Sequence, residues 1–250
     1  MRKPVLAFAA GLAFASVCAC PSRAQESITL DKLADLQSGS YTAGDNLRFT
    51  LVAHSGNFFL RFENDPEVYV LYSGRASMGG RVLKYDCGDT AIQVSGWGGI
   101  TLYTDTRPGG LPAVRNGDAP PFSLQPVSTS QMQSAAADEA DSLAYTRRVN
   151  VSFSADWNAL VGDANARALA FDTLENAAHA LGRLAMSGAG RQALNQHITV
   201  VAIASASRPT IALNGKTLTV TYNPARGYEG RASSRAIARA LSGLLKISSK

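Results

Sequence analysis

Cysteine and histidine are scarce in this sequence, with three of each among 250 residues. No CxxC or HExxH spacing occurs, and His54, His179 and His197 are far apart in the chain. Metal centres built from closely spaced Cys and His ligands are therefore not predicted, and no cofactor is expected. After residue 20 the sequence contains a single cysteine, Cys87, which excludes a disulfide within the chain that follows.

Long apolar runs are also scarce. Residues 5–17 carry no charge, but this run is too short to span a bilayer core of about 30 Å. The longest later run, residues 198–204, has the length of a strand. We therefore predict no transmembrane span beyond the N-terminal leader.

The N-terminus has the three-part layout of a secretory signal. Arg2 and Lys3 precede the apolar run, and Ser22 and Ala24 provide small residues before Gln25. The sequence predicts a signal peptide over residues 1–24 and a periplasmic or secreted protein. An alternative remains open, because Val17-Cys18-Ala19-Cys20 resembles a lipobox, and lipidation at Cys20 would anchor the protein to a membrane.

Charge is distributed unevenly along the chain, whose formal net charge is +5. Residues 208–250 contain eight basic side chains and one acidic side chain, Glu229. This asymmetry predicts an anionic partner for the C-terminal end, either an envelope component or another envelope protein. Nucleic acid is not expected as a partner.

The basic side chains of the C-terminal end follow a helical spacing. A final amphipathic helix is predicted over residues 231–247, with Ile237 and Leu241 on its apolar side. Two interpretations stay open, a solvated face of a docked helix and an anion-binding stripe. The candidate binding residues are Arg226, Arg231, Arg235, Arg239 and Lys246.

The first half of the chain has the pattern of a β protein. Residues 47–104 contain six short runs rich in aromatic and β-branched residues, separated by Gly, Asp and Pro. They predict an antiparallel meander that closes on itself or packs against another layer. We assign residues 25–105 to this β-rich region. Residues 106–130, with five prolines after Thr106, are predicted to be a linker.

The second half, residues 131–250, is predicted to mix α and β structure, which makes the whole chain α+β. Helices are expected at residues 131–146 and 164–185, strands at 149–153 and 198–204, and a hairpin around Asn214-Gly215. Ser154 is the expected N-cap of a further helix. Gly188 and Gly190 are expected to end the long helix.

Three features of the β region contain residues that could bind a ligand or catalyse a reaction. Cys87 with His54 would form a nucleophile pair, but a lone cysteine is more often a small buried hydrophobe. The carboxylates of residues 63, 65 and 67 surround Pro66 and are interpreted as solvated turn residues, since their spacing matches no calcium loop. Trp97 is expected to cap the core, and an exposed, sugar-binding indole is the alternative.

Three segments of the β region carry a family resemblance: residues 56–62 (GNFFLRF), 82–90 (VLKYDCGDT) and 95–104 (SGWGGITLYT). They resemble an uncharacterised family of exported alphaproteobacterial proteins classed as a domain of unknown function. The resemblance implies an envelope location and assigns no catalytic residue. We therefore expect a non-enzymatic binding or structural module. The alternatives are a hydrolase or transferase acting on envelope polymers near Cys87 and Trp97, and a lipoprotein spacer.

Overall fold

A computed structural model describes residues 36–247 of the chain. The predicted signal peptide and the alternative lipidation site at Cys20 lie outside the described residues.

Eight antiparallel strands form a closed barrel, which confirms the predicted meander. Each strand pairs with the next, and the last strand pairs with the first to close the sheet. Closure leaves no unpaired sheet edge on the barrel. The strands are β1 (Gly39–Ala43), β2 (Leu47–His54), β3 (Asn57–Phe62), β4 (Tyr69–Arg75), β5 (Arg81–Tyr85), β6 (Thr90–Val94), β7 (Ile100–Thr104) and β8 (Arg107–Gly117).

The interior of the barrel is filled by side chains. Alternate residues of a strand point to the same side of a sheet, so every second residue of these strands points inward. Leu51, Leu60, Leu71, Leu83 and Leu102 are completely buried in this core. A barrel of eight strands is just wide enough for side chains to fill it. The interior of the barrel is therefore a packed hydrophobic core and not a ligand-binding cavity.

The predicted linker is wrong over its first half, because residues 107–117 form strand β8. Its prolines and glycines suggested a loop, but β8 pairs with β7 on one side and β1 on the other. Gly110 (φ +82°) allows the strand to pass close to β7. A Cβ atom at this position would lie 2.5 Å from Cγ2 of Thr101 and 2.9 Å from Tyr103. Pairing with two neighbouring strands therefore makes this segment a strand, although its amino-acid composition is typical of a loop.

The second half mixes helices and strands, as predicted, and its four strands form one sheet. The strand order is β11-β12-β10-β9, with β10 parallel to both neighbours. None of the described helices is long and apolar enough to cross a membrane. The strands are β9 (Ser152–Ala155), β10 (Val200–Ser205), β11 (Ile211–Asn214) and β12 (Thr217–Tyr222), and the helices are α1 (Thr129–Ser142), α2 (Ala164–Leu184), α3 (Gly188–His197) and α4 (Ser234–Leu244).

Two local predictions in this half are wrong. Ser154 lies inside β9 and caps no helix, whereas Asp163 caps α2 by accepting from the backbone N–H of Ala166. Gly188 and Gly190 begin the separate helix α3 instead of ending α2. The hairpin prediction is confirmed, and its turn contains Gly215 at φ +59°, which a glycine adopts without strain.

Candidate functional site

The barrel has one acidic end. In an up-and-down meander alternate turns lie at the same end, so the turns after β1, β3, β5 and β7 come together. We call this the acidic end because its turns contain Asp45, Glu63, Asp65, Glu67, Asp86, Asp89 and Asp105. The opposite end, with the turns after β2, β4 and β6, is called the distal end.

The N-terminus of α4 docks on the acidic end. The backbone N–H groups of Ser233 and Ser234 donate to carboxylates of Asp86 and Glu67, both at 2.7 Å. Their hydroxyl groups donate to the same two carboxylates. The first N–H groups of a helix lack partners within the helix and carry partial positive charge. Two barrel carboxylates therefore accept hydrogen bonds from N–H groups at the start of α4 that have no partner within the helix.

Two arginines of α4 continue this contact. Arg235 donates to Asp105 at 2.6 Å, and its guanidinium lies 4.3 Å from the ring centre of Tyr85. Arg183 of α2 pairs with the same carboxylate. Burial raises the pKa of Asp105, but the two guanidinium groups outweigh it and lower that pKa below its usual 3.8. Arg239, one turn further along α4, pairs with Asp89 at the surface.

Arg231 is the buried centre of the junction between the two halves. Its side chain is 0% exposed, pairs with Asp172 of α2 and donates to the carbonyl of Val68 at 2.7 Å. Burial lowers the pKa of Arg231, but Asp172 and Glu67 outweigh burial and raise it. Burial also raises the pKa of Glu67, and Arg231 opposes that increase. The guanidinium is therefore a permanent charge inside the molecule.

These contacts correct the picture of a continuous basic stripe. Arg231 precedes α4 and is buried, so it shares no exposed helix face with Arg235 and Arg239. Arg226 pairs with Glu229 at 3.3 Å, and Lys246 is exposed without an ion pair within residues 36–247. Most of the predicted anion-binding charge thus meets carboxylates of the same chain. Binding of an external anion by these residues stays a prediction.

Cys87 and His54 do not form a pair. Cys87 lies in the turn after β5, at the acidic end, and His54 lies at the end of β2, at the distal end. The thiol of Cys87 contacts Asp89 at 3.4 Å, and burial with nearby carboxylates raises its pKa. A thiol with a raised pKa is a weak nucleophile at neutral pH. The geometry does not favour covalent catalysis at Cys87.

Trp97 lies in the turn between β6 and β7, and its side chain is 90% exposed. The expectation that it caps the core is wrong, because Leu102, Val94 and Ile92 already fill the barrel beneath this turn. Trp97 and Cys87 are at opposite ends of the barrel, so they do not share one surface.

A polar cleft lies between the β3–β4 loop of the acidic end and helices α1 and α2. We call this cavity of about 400 Å³ the junction cleft. The barrel contributes Asp65, Glu67 and Tyr69, and the helices contribute Glu139 and His179. A larger concavity of about 940 Å³ runs along the outer wall of β1–β3 and meets the junction cleft at Asp65.

The loop between β3 and β4 holds two carboxylates in fixed positions. Asp65 accepts the backbone N–H of Glu67 at 3.0 Å and the hydroxyl of Tyr69 at 2.9 Å. Glu67 is only 3% exposed and is held by Ser234. One oxygen of each carboxylate and one imidazole nitrogen of His179 lie within 4.8 Å of one another.

Sequence reasoning did not find this group of three side chains. The carboxylates of this loop have the sequence context of solvated turn residues, and no other histidine or cysteine lies at a typical metal-ligating spacing from His179. The only available signal was the polar side of α2, where Glu175, His179 and Arg183 are spaced by four residues and lie on one face. That face meets the barrel across the junction cleft.

The fold and this cleft define a class of protein: an α+β chain in which a filled eight-stranded barrel docks through its acidic end on a helix-covered sheet. The chain belongs to the family described as a domain of unknown function (DUF4908), whose model matches residues 23–241. No curated protein matches the chain. No solved structure matches it either.

Proposed function

We propose that this chain is an exported, non-enzymatic module that binds an acidic polysaccharide of a bacterial envelope through the distal end of its barrel. The observation that carries the proposal is Trp97, which projects from the tip of the β6–β7 turn with 90% of its side chain exposed. The family match begins at residue 23, so the leader predicted from the sequence lies almost entirely outside the matched segment.

Positive charge accompanies Trp97 at the distal end. Arg75 and Arg81 are directly opposite each other on β4 and β5, and Arg81 is also paired with Val94 at the base of the Trp97 turn. Like charges directly opposite each other destabilise a sheet. Neither arginine has an ion pair within the described part of the chain, and the three distal turns contain no acidic residue. Two acidic side chains lie near this end, and both are paired, Asp118 with Arg115 and Glu229 with Arg226. An anion between the two guanidinium groups would relieve their repulsion.

An acidic sugar polymer offers both interactions that this end presents. The flat, apolar face of an indole packs on the C–H face of a sugar ring while its edge stays hydrated. Uronic-acid carboxylates match the guanidinium groups of Arg75 and Arg81. The alternative sites are less suitable, because the barrel interior is filled and α4 covers the acidic end.

The test is binding of the purified protein to polygalacturonate, with neutral dextran as the reference polymer. We expect Trp97→Ala, and separately Arg75→Glu, to raise Kd at least about tenfold, or roughly 1.4 kcal/mol, and salt to weaken binding by the wild type. The matched controls are Tyr145→Ala, an equally exposed aromatic in the second half, and Arg107→Glu, an exposed arginine at the acidic end.

Three results would overturn the proposal. They are no binding to the acidic polymer, equal binding to dextran, and unchanged binding after both substitutions. Anionic phospholipid vesicles serve as a further arm of the experiment. Binding to vesicles with no binding to polygalacturonate assigns the distal end to a membrane surface and rejects the polysaccharide.

A further inference from the structure

Three side chains from two parts of the chain bring metal-ligating atoms together in the junction cleft. Asp65 and Glu67 belong to the β3–β4 loop, and His179 belongs to α2. Their ligand atoms lie within 4.8 Å of one another. Two ligand atoms bound to one tetrahedral Zn²⁺ at about 2.1 Å are about 3.4 Å apart. The three side chains therefore have to approach one another by at most about 1.4 Å to surround a single ion.

The two carboxylates keep the capacity to bind a cation. Asp65 and Glu67 accept hydrogen bonds from Tyr69 and Ser234, but each carboxylate oxygen has a second lone pair. Hydrogen bonds of this kind orient the ligands of protein metal sites and are part of their design. Glu67 is almost fully buried, so its oxygen has a defined position and cannot move freely into solvent.

The charge around the three side chains is an independent argument. Glu175, one helical turn before His179, is half-buried and has no hydrogen bond or ion pair within residues 36–247. Arg231 pairs with Asp172 and donates to the Val68 carbonyl, and its charge also acts on Glu67. Arg147 and Arg183 also line the cleft, and Arg183 is paired with Asp105. The carboxylates of Asp65, Glu67 and Glu139 therefore outnumber the one lining arginine that has no ion pair among the described residues, and a bound cation would offset that excess.

We propose that Asp65, Glu67 and His179 bind one divalent transition-metal ion of the Mn²⁺ to Zn²⁺ series. One imidazole nitrogen and two carboxylate oxygens form a mixed donor set, whereas Mg²⁺ and Ca²⁺ prefer oxygen ligands alone. The cleft leaves room for water to complete the coordination. Because the ligands come from both halves, the ion links the β3–β4 loop to α2.

The test is titration of the purified protein, in a Cys87→Ser background, with Mn²⁺ followed by electron paramagnetic resonance and with Zn²⁺ followed by calorimetry. We expect one saturable site per chain. At a Zn²⁺ concentration one hundred times Kd, the Tm should rise by roughly 5–10 °C relative to protein in EDTA. Pulsed spectra of the Mn²⁺ complex should show nitrogen coupling from an imidazole.

Two ligand variants and two matched controls decide the assignment. His179→Asn and Asp65→Asn should each raise Kd at least tenfold, and His179→Asn should also abolish the nitrogen coupling. His197→Asn removes an exposed histidine, and Glu63→Gln removes an exposed carboxylate of the same loop, so both should bind as the wild type does.

Absence of a saturable site, unchanged Kd in both ligand variants, or equal affinity for Mg²⁺ would overturn the proposal. Trp97→Ala leaves the cleft intact and should bind the metal normally. Failure of the polysaccharide proposal therefore leaves the metal site untouched, and failure of the metal site leaves the distal end untouched.

Discussion

Removal of the Arg231 guanidinium is the sharpest test of how the two halves are joined. Arg231→Met retains most of the side-chain volume and removes the charge. The side chain of Asp172, 23% exposed, then loses its cation, and the carbonyl of Val68 loses its donor. Breaking a buried ion pair by removing one partner costs about 3–5 kcal/mol, because the remaining charge stays desolvated. For a chain of this size that corresponds to a decrease in Tm of roughly 6–20 °C.

The assay is urea and thermal unfolding in the presence of EDTA, so that metal binding makes no contribution. A double-mutant cycle with Asp172→Asn isolates the pair, and we expect a coupling of at least about 1 kcal/mol. Arg239→Met is the matched control. Its ion pair with Asp89 is exposed on both sides, and exposed pairs contribute little. A decrease below about 1 kcal/mol for Arg231→Met, or strict additivity in the cycle, would refute the reasoning.

Two further predictions concern pH and export. The pKa of Asp105 is lower in the folded protein than its usual 3.8, so this carboxylate stabilises the fold above about pH 4 and the contribution disappears as pH falls through the lowered pKa. The Asp105→Asn variant should therefore be less stable than the wild type at pH 7, and it should lose less stability than the wild type between about pH 4 and pH 2. An acid unfolding curve parallel to that of the wild type contradicts this prediction. Intact mass of the native protein should give an N-terminus at Gln25, whereas a chain that begins at Met1 rejects the predicted leader and a lipidated Cys20 supports the alternative anchor.

The fold class was predictable because the local patterns agree with the tertiary structure. Short runs of aromatic and β-branched residues with turn residues between them predicted β2 to β7, and the three- and four-residue spacing of apolar residues predicted α2. No run was identified at β1. Strand β8 was missed because prolines and glycines dominate its composition, and only pairing on both sides makes it a strand. Trp97 was misplaced because the sequence does not reveal how completely other side chains fill the barrel.

The sequence by itself determined that the C-terminal end needs negative charge next to it. Residues 208–250 contain eight basic residues and only one acidic residue, Glu229. The tertiary structure decided where much of that charge comes from: Asp105, Asp89 and Asp172 of the same chain. Likewise, nothing in the sequence indicates that His179 meets residues 65 and 67, because 112 positions separate it from the nearer carboxylate. The physical reason is the same in both cases. Charges and ligands act over a few ångströms in space, whereas periodicity reports only neighbours along the chain.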